Sequence, residues 1–378
     1  MGGLPLTHMT TKSVLNTGIR NARNVSRYLY GLGSIADLAG ILAERRGEAS
    51  GRAVFFIDTY FERHGLPRGL GAIESGDRVI YVDTIDEPTT ALVNRMRDRV
   101  QAETDGLPCA IVGIGGGITM DVAKAVANLL TNGGNAEDYQ GWDLVKVPGI
   151  FKIAVPTISG TGAESTRTCV MTNPASGLKL GMNSDFTVYD QIILDPDLTA
   201  TVPRDQYFYT GADAYIHCME SLSGSYRNAI GDAYSDQTTR LCREVFLGDD
   251  MMSDGNRAKL MVVSYLGGCA IATSYVGVVH PFSAGLSVVL GTHHCIANCI
   301  VMRAMEEFYP EGYREFWQMV ARQGVAIPEG ICRDLTDAQH ESLYAATVIH
   351  QKPLTNALGE NYKDILTREK VRAIFLKM

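Results

Sequence analysis

Short apolar runs alternate with helical stretches through the first half of the chain. Arg52-Ala-Val-Phe-Phe-Ile57, Arg78-Val-Ile-Tyr-Val82, Cys109-Ala-Ile-Val-Gly-Ile114, Ile153-Ala-Val155 and Ile192-Ile-Leu194 are continuous apolar runs of strand length. Residues 89–103 and 120–130 read as helices between them. Strands that are apolar on both faces and alternate with helices predict a doubly wound, mostly parallel sheet. After Val202-Pro203 the strand-like runs almost vanish. Residues 208–221, 229–246, 257–274 and 295–308 carry apolar residues at helical spacing, and their methionines suit core filling. The expected organisation is therefore an α/β domain over residues 1–201 and an all-helical domain over 202–378.

A length of 378 residues is enough for two such cores. The hydrophobic fraction is 46% and the charged fraction 20%, as in ordinary globular proteins. Net charge is −8 without a basic cluster, which disfavours nucleic acid or an anionic membrane as partner. No apolar run reaches the roughly 18 residues of a membrane span. The eight scattered cysteines have no disulfide-like spacing. With no secretory signal in view, reduced thiols and a cytoplasmic location are expected.

Four residues in the helical half carry candidate metal chemistry. Asp213-Ala-Tyr-Ile-His217 places a carboxylate and an imidazole on one helix face. His280 and His294 follow in a Gly-, Ala- and His-bearing apolar stretch. One oxygen and three nitrogens suit divalent iron or zinc and are too oxygen-poor for calcium. An Asp-x3-His pair alone is more often a surface or core pair than a metal site. A rival set is His293, His294, Cys295 and Cys299, whose Cys-x3-Cys lacks a second cysteine pair. His8, His64, His340 and His350 sit in ordinary polar contexts.

A second constellation lies in the first half. Gly113-Ile-Gly115-Gly116-Gly117-Ile-Thr-Met-Asp121 follows a buried strand and opens a helix. Bare backbone N–H groups at a helix N-terminus suit a diphosphate, although a tight structural turn reads the same way. The loop is neither a G-x-G-x-x-G fingerprint nor a P-loop. Residues 156–164, Pro-Thr-Ile-Ser-Gly-Thr-Gly-Ala-Glu, form a small, hydroxyl-rich loop able to approach a ligand. Asp58, at a strand end, is placed to accept from ribose hydroxyls, and equally fits a plain turn residue. Lys179 is a candidate for cofactor hydroxyls or phosphate, with a solvated lysine as the alternative.

In order and spacing these segments resemble the iron-containing alcohol dehydrogenase family over almost the whole chain. The matching pieces are 115–124, 131–134, 156–164, 195–199, 210–220 and 294–298. The resemblance implies a dinucleotide-binding α/β domain, a helical domain of the dehydroquinate synthase-like type, and one divalent ion, Fe2+ or Zn2+. It places the ligands at Asp213, His217, His280 and His294. It places cofactor contacts at Asp58, Gly115, Gly116, Gly117, Asp121, Thr157, Thr161 and Lys179.

The chain departs from the family pattern at four positions. Ile118 stands where a Ser is usual, Ile158 where a Thr is usual, Ala284 where many members have a His, and His293 where a Pro is usual. The first two imply weakened NAD(P) binding. The third removes the usual proton relay, for which His293 is a candidate catalytic replacement. Residues 279–298 are most similar to a branch that oxidises the C8 alcohol of 3-deoxy-manno-octulosonate (Kdo) to an aldehyde for lipopolysaccharide biosynthesis. That likeness implies a sugar-acid substrate, a homodimer and hand-off to an aminotransferase, with NAD(P) or oxygen as acceptor. The alternatives are a generic NAD(P)-dependent alcohol dehydrogenase, a dehydroquinate-synthase-like lyase, and an inactive nucleotide-binding protein. The lyase would need several Lys and Arg residues, and 270–300 contains none.

Overall fold

The computed structural model describes residues 23–48 and 51–378. His8 and the rest of 1–22 lie outside the described residues. Six strands form one sheet: β1 (Arg27–Tyr30), β2 (Ala53–Asp58), β3 (Arg78–Val82), β4 (Ala110–Gly115), β6 (Lys152–Pro156) and β9 (Gln191–Leu194). Every pairing in it is parallel and the order is β1-β9-β6-β4-β2-β3. The helices of this half are α1 (Leu38–Glu48), α2 (Thr59–His64), α3 (Thr90–Glu103) and α4 (Gly117–Asn132). Residues such as Phe55, Phe56, Ile111 and Val112 are buried on both faces of the sheet, as parallel strands require.

The order of strands decides where a ligand can lie. From β2 the chain moves outward to β3, and from β4 it moves the other way to β6. Loops leaving β2 and β4 therefore diverge, and a crevice opens at their carboxyl ends. Asp58 ends β2 and Gly115 ends β4, so the two candidate cofactor segments flank that crevice.

A smaller sheet was not expected from the sequence. It contains β5 (Gly141–Trp142), β7 (Thr168–Asn173) and β8 (Leu178–Asn183) in the order β5-β8-β7. β7 and β8 form an antiparallel hairpin. Buried Lys124 reaches from α4 to the β7 strand, with Nζ 2.5 Å from the Thr168 carbonyl oxygen.

Beyond β9 the regular structure is helical: α5 (Arg204–Ser223), α6 (Ala229–Phe246), α7 (Asp254–Ser274), α8 (Val279–Leu290), α9 (His294–Val301), α10 (Pro310–Gln323), α11 (Asp337–Val348), α12 (Gln351–Leu358), α13 (Tyr362–Ile365) and α14 (Arg368–Phe375). The expected helix over 295–308 stops early. It ends at Val301 and passes through a 3-10 turn at Met302–Ala304; Tyr309, just before Pro310, is non-helical, as the residue preceding a proline tends to be. α8 escaped the sequence pattern because Pro281 and Gly285 lie inside it. Pro281 sits in the first turn, where no intrahelical N–H is needed. No single helix among the described residues is long and apolar enough to cross a membrane.

The 156–164 loop locks the sheet to the helices. Gly160 has φ +142°, and a Cβ there would stand 1.7 Å from the Thr210 carbonyl oxygen of α5. At Gly162 the corresponding clash is with Gly268 of α7, at 2.6 Å. Two of this loop's small residues are therefore set by helix packing. Gly160→Ala is expected to destabilise the protein by about 3 kcal/mol or more, read as a lower urea midpoint or loss of soluble protein. An unchanged midpoint would contradict this packing.

Candidate metal centre and cofactor cleft

α5 turns Asp213, His217 and Glu220 onto one face, at spacings of four and three residues. α8 supplies His280 from its first turn, and α9 supplies His294 as its first residue. The donor atoms of Asp213, His217, His280 and His294 all lie within 4.8 Å of one another. From the Asp213 carboxylate, the Nε2 atoms stand at 3.5 Å (His217), 3.3 Å (His280) and 3.8 Å (His294). Four donors bound tetrahedrally to one ion at ~2.1 Å stand about 3.4 Å apart. The spacing thus fits a single first-row divalent ion.

Charge points the same way. Asp213 and Glu220 are both 0% exposed, and among the described residues neither has a Lys or Arg partner. Burial would raise the Asp213 carboxyl, but the His217 and His294 charges and a hydrogen bond from His280 hold it well below the usual range. Burial is the largest influence on two of the rings and pulls His217 down to about 4 and His294 to about 3. Burial also opposes charge on His280, but Glu220 and Asp213 outweigh it and lift that ring to about 9. Two buried carboxylates beside three imidazoles suit a cation at the shared donor atoms. Asn298 Nδ2 donates to Asp213 Oδ1 at 2.6 Å and lies 3.3 Å from Nε2 of both His280 and His294.

Glu220 is a residue the sequence reading missed. Its carboxylate accepts hydrogen bonds from His280 Nδ1–H and from the backbone N–H of Val279. That bond fixes the tautomer and aims Nε2 at the cluster. The i, i+4, i+7 spacing from Asp213 was the available signal. The rival set does not assemble. Cys295 and Cys299 are buried thiols pushed well above their ordinary value by burial, and His293 is exposed at the cleft rim without a side-chain hydrogen bond among the described residues. His350, read as an ordinary polar histidine, in fact lines the cleft.

One cavity of about 780 Å³ runs from Asp58 past the glycine loop to the histidines. Gly116, Gly117, Asp121, Thr161 and Lys179 line it. Gly115 and Thr157 are not among its lining residues; the Thr157 N–H bonds the Gly115 carbonyl, and a Cβ on Gly115 would strike Thr119 at 2.6 Å. No side chain caps α4, so its first-turn N–H groups face the crevice unspent, which suits a pyrophosphate. Asp58 accepts from Tyr60 N at 2.9 Å and from the Thr84 hydroxyl at 3.2 Å, so it caps α2 as well as facing the cavity. Asp121 is committed to Val170 N at 2.9 Å and Lys124 at 3.5 Å, and pins α4 to β7. Lys179 is paired with Glu87 at 3.1 Å. Glu87 also accepts the His294 N–H at 2.7 Å and so ties the cofactor wall to a histidine of the cluster.

The N-terminal iron-containing alcohol dehydrogenase model matches residues 25–196, and the family's C-terminal model matches 207–352. The chain belongs to the iron-containing alcohol dehydrogenase family. It is accordingly an oxidoreductase acting on CH–OH groups, and the family binds a divalent metal and NAD(H). A sulfoacetaldehyde reductase of Bilophila wadsworthia is 29% identical over 280 residues, 72% of this chain and 70% of that protein. A 4-hydroxybutyrate dehydrogenase of Cupriavidus necator is 30% identical over 292 residues, 72% and 74% of the two chains. A solved sulfoacetaldehyde reductase from Bifidobacterium kashiwanohense, in complex with NAD+, shares the fold with a TM-score of 0.76 at 20% identity, over 94% of this chain and 97% of that one. Family membership sets aside the lyase alternative.

Two outcomes are expected at this site. Glu220→Gln should weaken divalent-ion affinity about 10- to 100-fold in a chelator competition titration, while the fold survives; unchanged affinity would show that Glu220 does not orient His280. Ile118→Ser, which puts a hydroxyl in the first turn of α4, should tighten NAD+ about fivefold by calorimetry. Weaker binding in the variant would show that the isoleucine costs nothing.

Proposed function

We propose that this enzyme oxidises the terminal primary alcohol of a polyhydroxylated sugar acid, Kdo at C8, to an aldehyde that an aminotransferase consumes. Asp213, His217, His280 and His294 hold the ion, and Asp58, the first turn of α4, Thr161 and Lys179 face the dinucleotide. When bound, the ion supplies Lewis acidity toward the alcohol oxygen and the nicotinamide supplies the hydride acceptor. Glu220 keeps the His280 ring aimed, and the cleft holds the reacting carbon near the acceptor.

Ala284 carries the substrate reading. It lies one turn after His280 on α8 and lines the cavity. A methyl group there leaves room that an imidazole would fill, and a polyhydroxylated chain can occupy that room and pass its proton through its own hydroxyls or water. The relatives add support, since a sulfoacetaldehyde and a 4-hydroxybutyrate are both anionic compounds with an oxygen function at the far end. β1 supports a homodimer, because this edge strand leaves Tyr28 60% and Tyr30 48% exposed. A division into two domains at residue 201 and a cytoplasmic location complete the reading.

The test compares Kdo with ethanol, 1,2-propanediol and glycerol at equal concentration, following NADH formation and oxygen uptake in parallel. Kdo turnover well above that of the small alcohols is expected, with His280→Ala losing both metal and activity. Good turnover of the small alcohols without turnover of Kdo would replace this reading by a generic NAD(P)-dependent alcohol dehydrogenase.

A further inference from the structure

Most charged side chains lining the cleft are already paired. Arg167 binds Asp143 at 2.6 Å and Asp185 at 3.1 Å, Lys179 binds Glu87 at 3.1 Å, and Asp121 lies 3.5 Å from Lys124. Lys352 differs. Among the described residues no carboxylate oxygen lies within 4.0 Å of its ammonium and no acceptor takes its N–H groups. Its Nζ stands 3.6 Å from the centre of the Trp142 ring and 5.6 Å from that of Tyr275. Trp142 meets Tyr275 edge-on at 5.3 Å. The ammonium is thus seated on aromatic faces, which attract it through the ring quadrupole but use none of its three donors.

The surroundings are built to hold it there. Trp142 belongs to β5, Tyr275 joins α7 to α8, and Lys352 sits in the first turn of α12. The two non-glycine residues with positive φ among those described are Asp143 at 56° and Tyr275 at 59°. Such backbone costs about 1–3 kcal/mol per residue. One of these residues anchors Arg167 and the other forms part of the lysine's seat. Residues 349–353 line the cavity, and no side chain caps the eight-residue α12, so its dipole adds positive potential at the same end. α12 packs on α8, the helix that carries His280. Burial draws the Lys352 ammonium below its ordinary value, with Asp143 opposing and Arg167 reinforcing the effect.

We propose that Lys352, seated on Trp142 and Tyr275, is the anion subsite of the cleft and receives the carboxylate or sulfonate of an alcohol substrate whose hydroxyl lies at the Asp213–histidine cluster. This deepens the sugar-acid reading and rests on the cleft being an alcohol site. The cleft then offers both polarities: Asp58 accepts hydrogen bonds and Lys352 donates them. Lys352 is a specificity-determining residue and takes no part in hydride transfer.

The experiment uses the full-length, metal-loaded enzyme and three substrate pairs. Each pairs an anionic alcohol with a neutral counterpart: a sugar acid with an alditol, 4-hydroxybutyrate with 1,4-butanediol, and 2-hydroxyethanesulfonate with 1,2-ethanediol. Lys352→Met should lower the anion-to-neutral ratio of kcat/KM by about tenfold or more, mostly through KM. Lys352→Arg should keep most of that ratio, and added salt should raise the wild-type KM for anions more than for neutral alcohols. The salt series needs no variant and stands if a substitution fails to fold. A ratio that Lys352→Met leaves unchanged in every pair, or a wild-type KM insensitive to salt, overturns the subsite even if sugar acids turn over well. A Lys352-dependent ratio for 4-hydroxybutyrate or the sulfonate, with no sugar-acid turnover, upholds the subsite and discards the sugar acid.

Discussion

Two carboxylates with no access to water and, among the described residues, no Lys or Arg partner set the terms for this molecule. Asp213 and Glu220 lie seven residues apart on α5, both fully buried. Burying an unpaired carboxylate costs several kcal/mol. The helical half answers with three imidazoles, but two of them are pulled toward neutrality by burial. A divalent ion at the shared donor atoms brings the formal charge of the pair to zero. A metal bound there would be an electrostatic component of this fold as well as its reagent, held where α5, α8 and α9 meet.

The α/β half brings its own constraint to the same place. Its strand order opens a crevice where β2 and β4 part, and the uncapped start of α4 faces into it. The two halves could not share a cleft without close backbone contact. Gly160 against Thr210 and Gly162 against Gly268 provide it, and Glu87 links Lys179 on one wall to the His294 backbone on the other. The crevice wall and the Asp213–histidine cluster are thereby tied together, as hydride transfer between two bound partners would require.

The parts of this arrangement that were legible in the sequence are those with a strong local period. The five buried strands are continuous apolar runs, and the first three long helices past residue 202 repeat every three or four residues. The Asp-x3-His pair declared its geometry because a helix fixes which residues share a face. α8 was hidden by Pro281 and Gly285, although it carries His280. The β7–β8 hairpin and the two-residue β5 were missed because half of their positions are polar and the hydrophobic run is broken. Glu220 had only its helical spacing from Asp213 and His217 as a signal, and Glu87 and Lys352 carried none of their own: each is a charged residue whose importance depends on what a distant segment places beside it. The glycines of the 156–164 loop pointed to close approach, and the approach at Gly160 and Gly162 is to helices.

X-ray absorption spectroscopy of the ion-loaded protein tests the central claim most directly, because it reads the identity and distance of the donor atoms. The account predicts one divalent ion per chain with a shell of nitrogen and oxygen at about 2.1 Å and the multiple-scattering signature of imidazole rings. A sulfur scatterer at about 2.3 Å would instead place Cys295, whose Sγ lies 3.7 Å from Asp213 Oδ2, in the coordination shell. That result, or a protein that folds fully and binds no ion, would contradict the account.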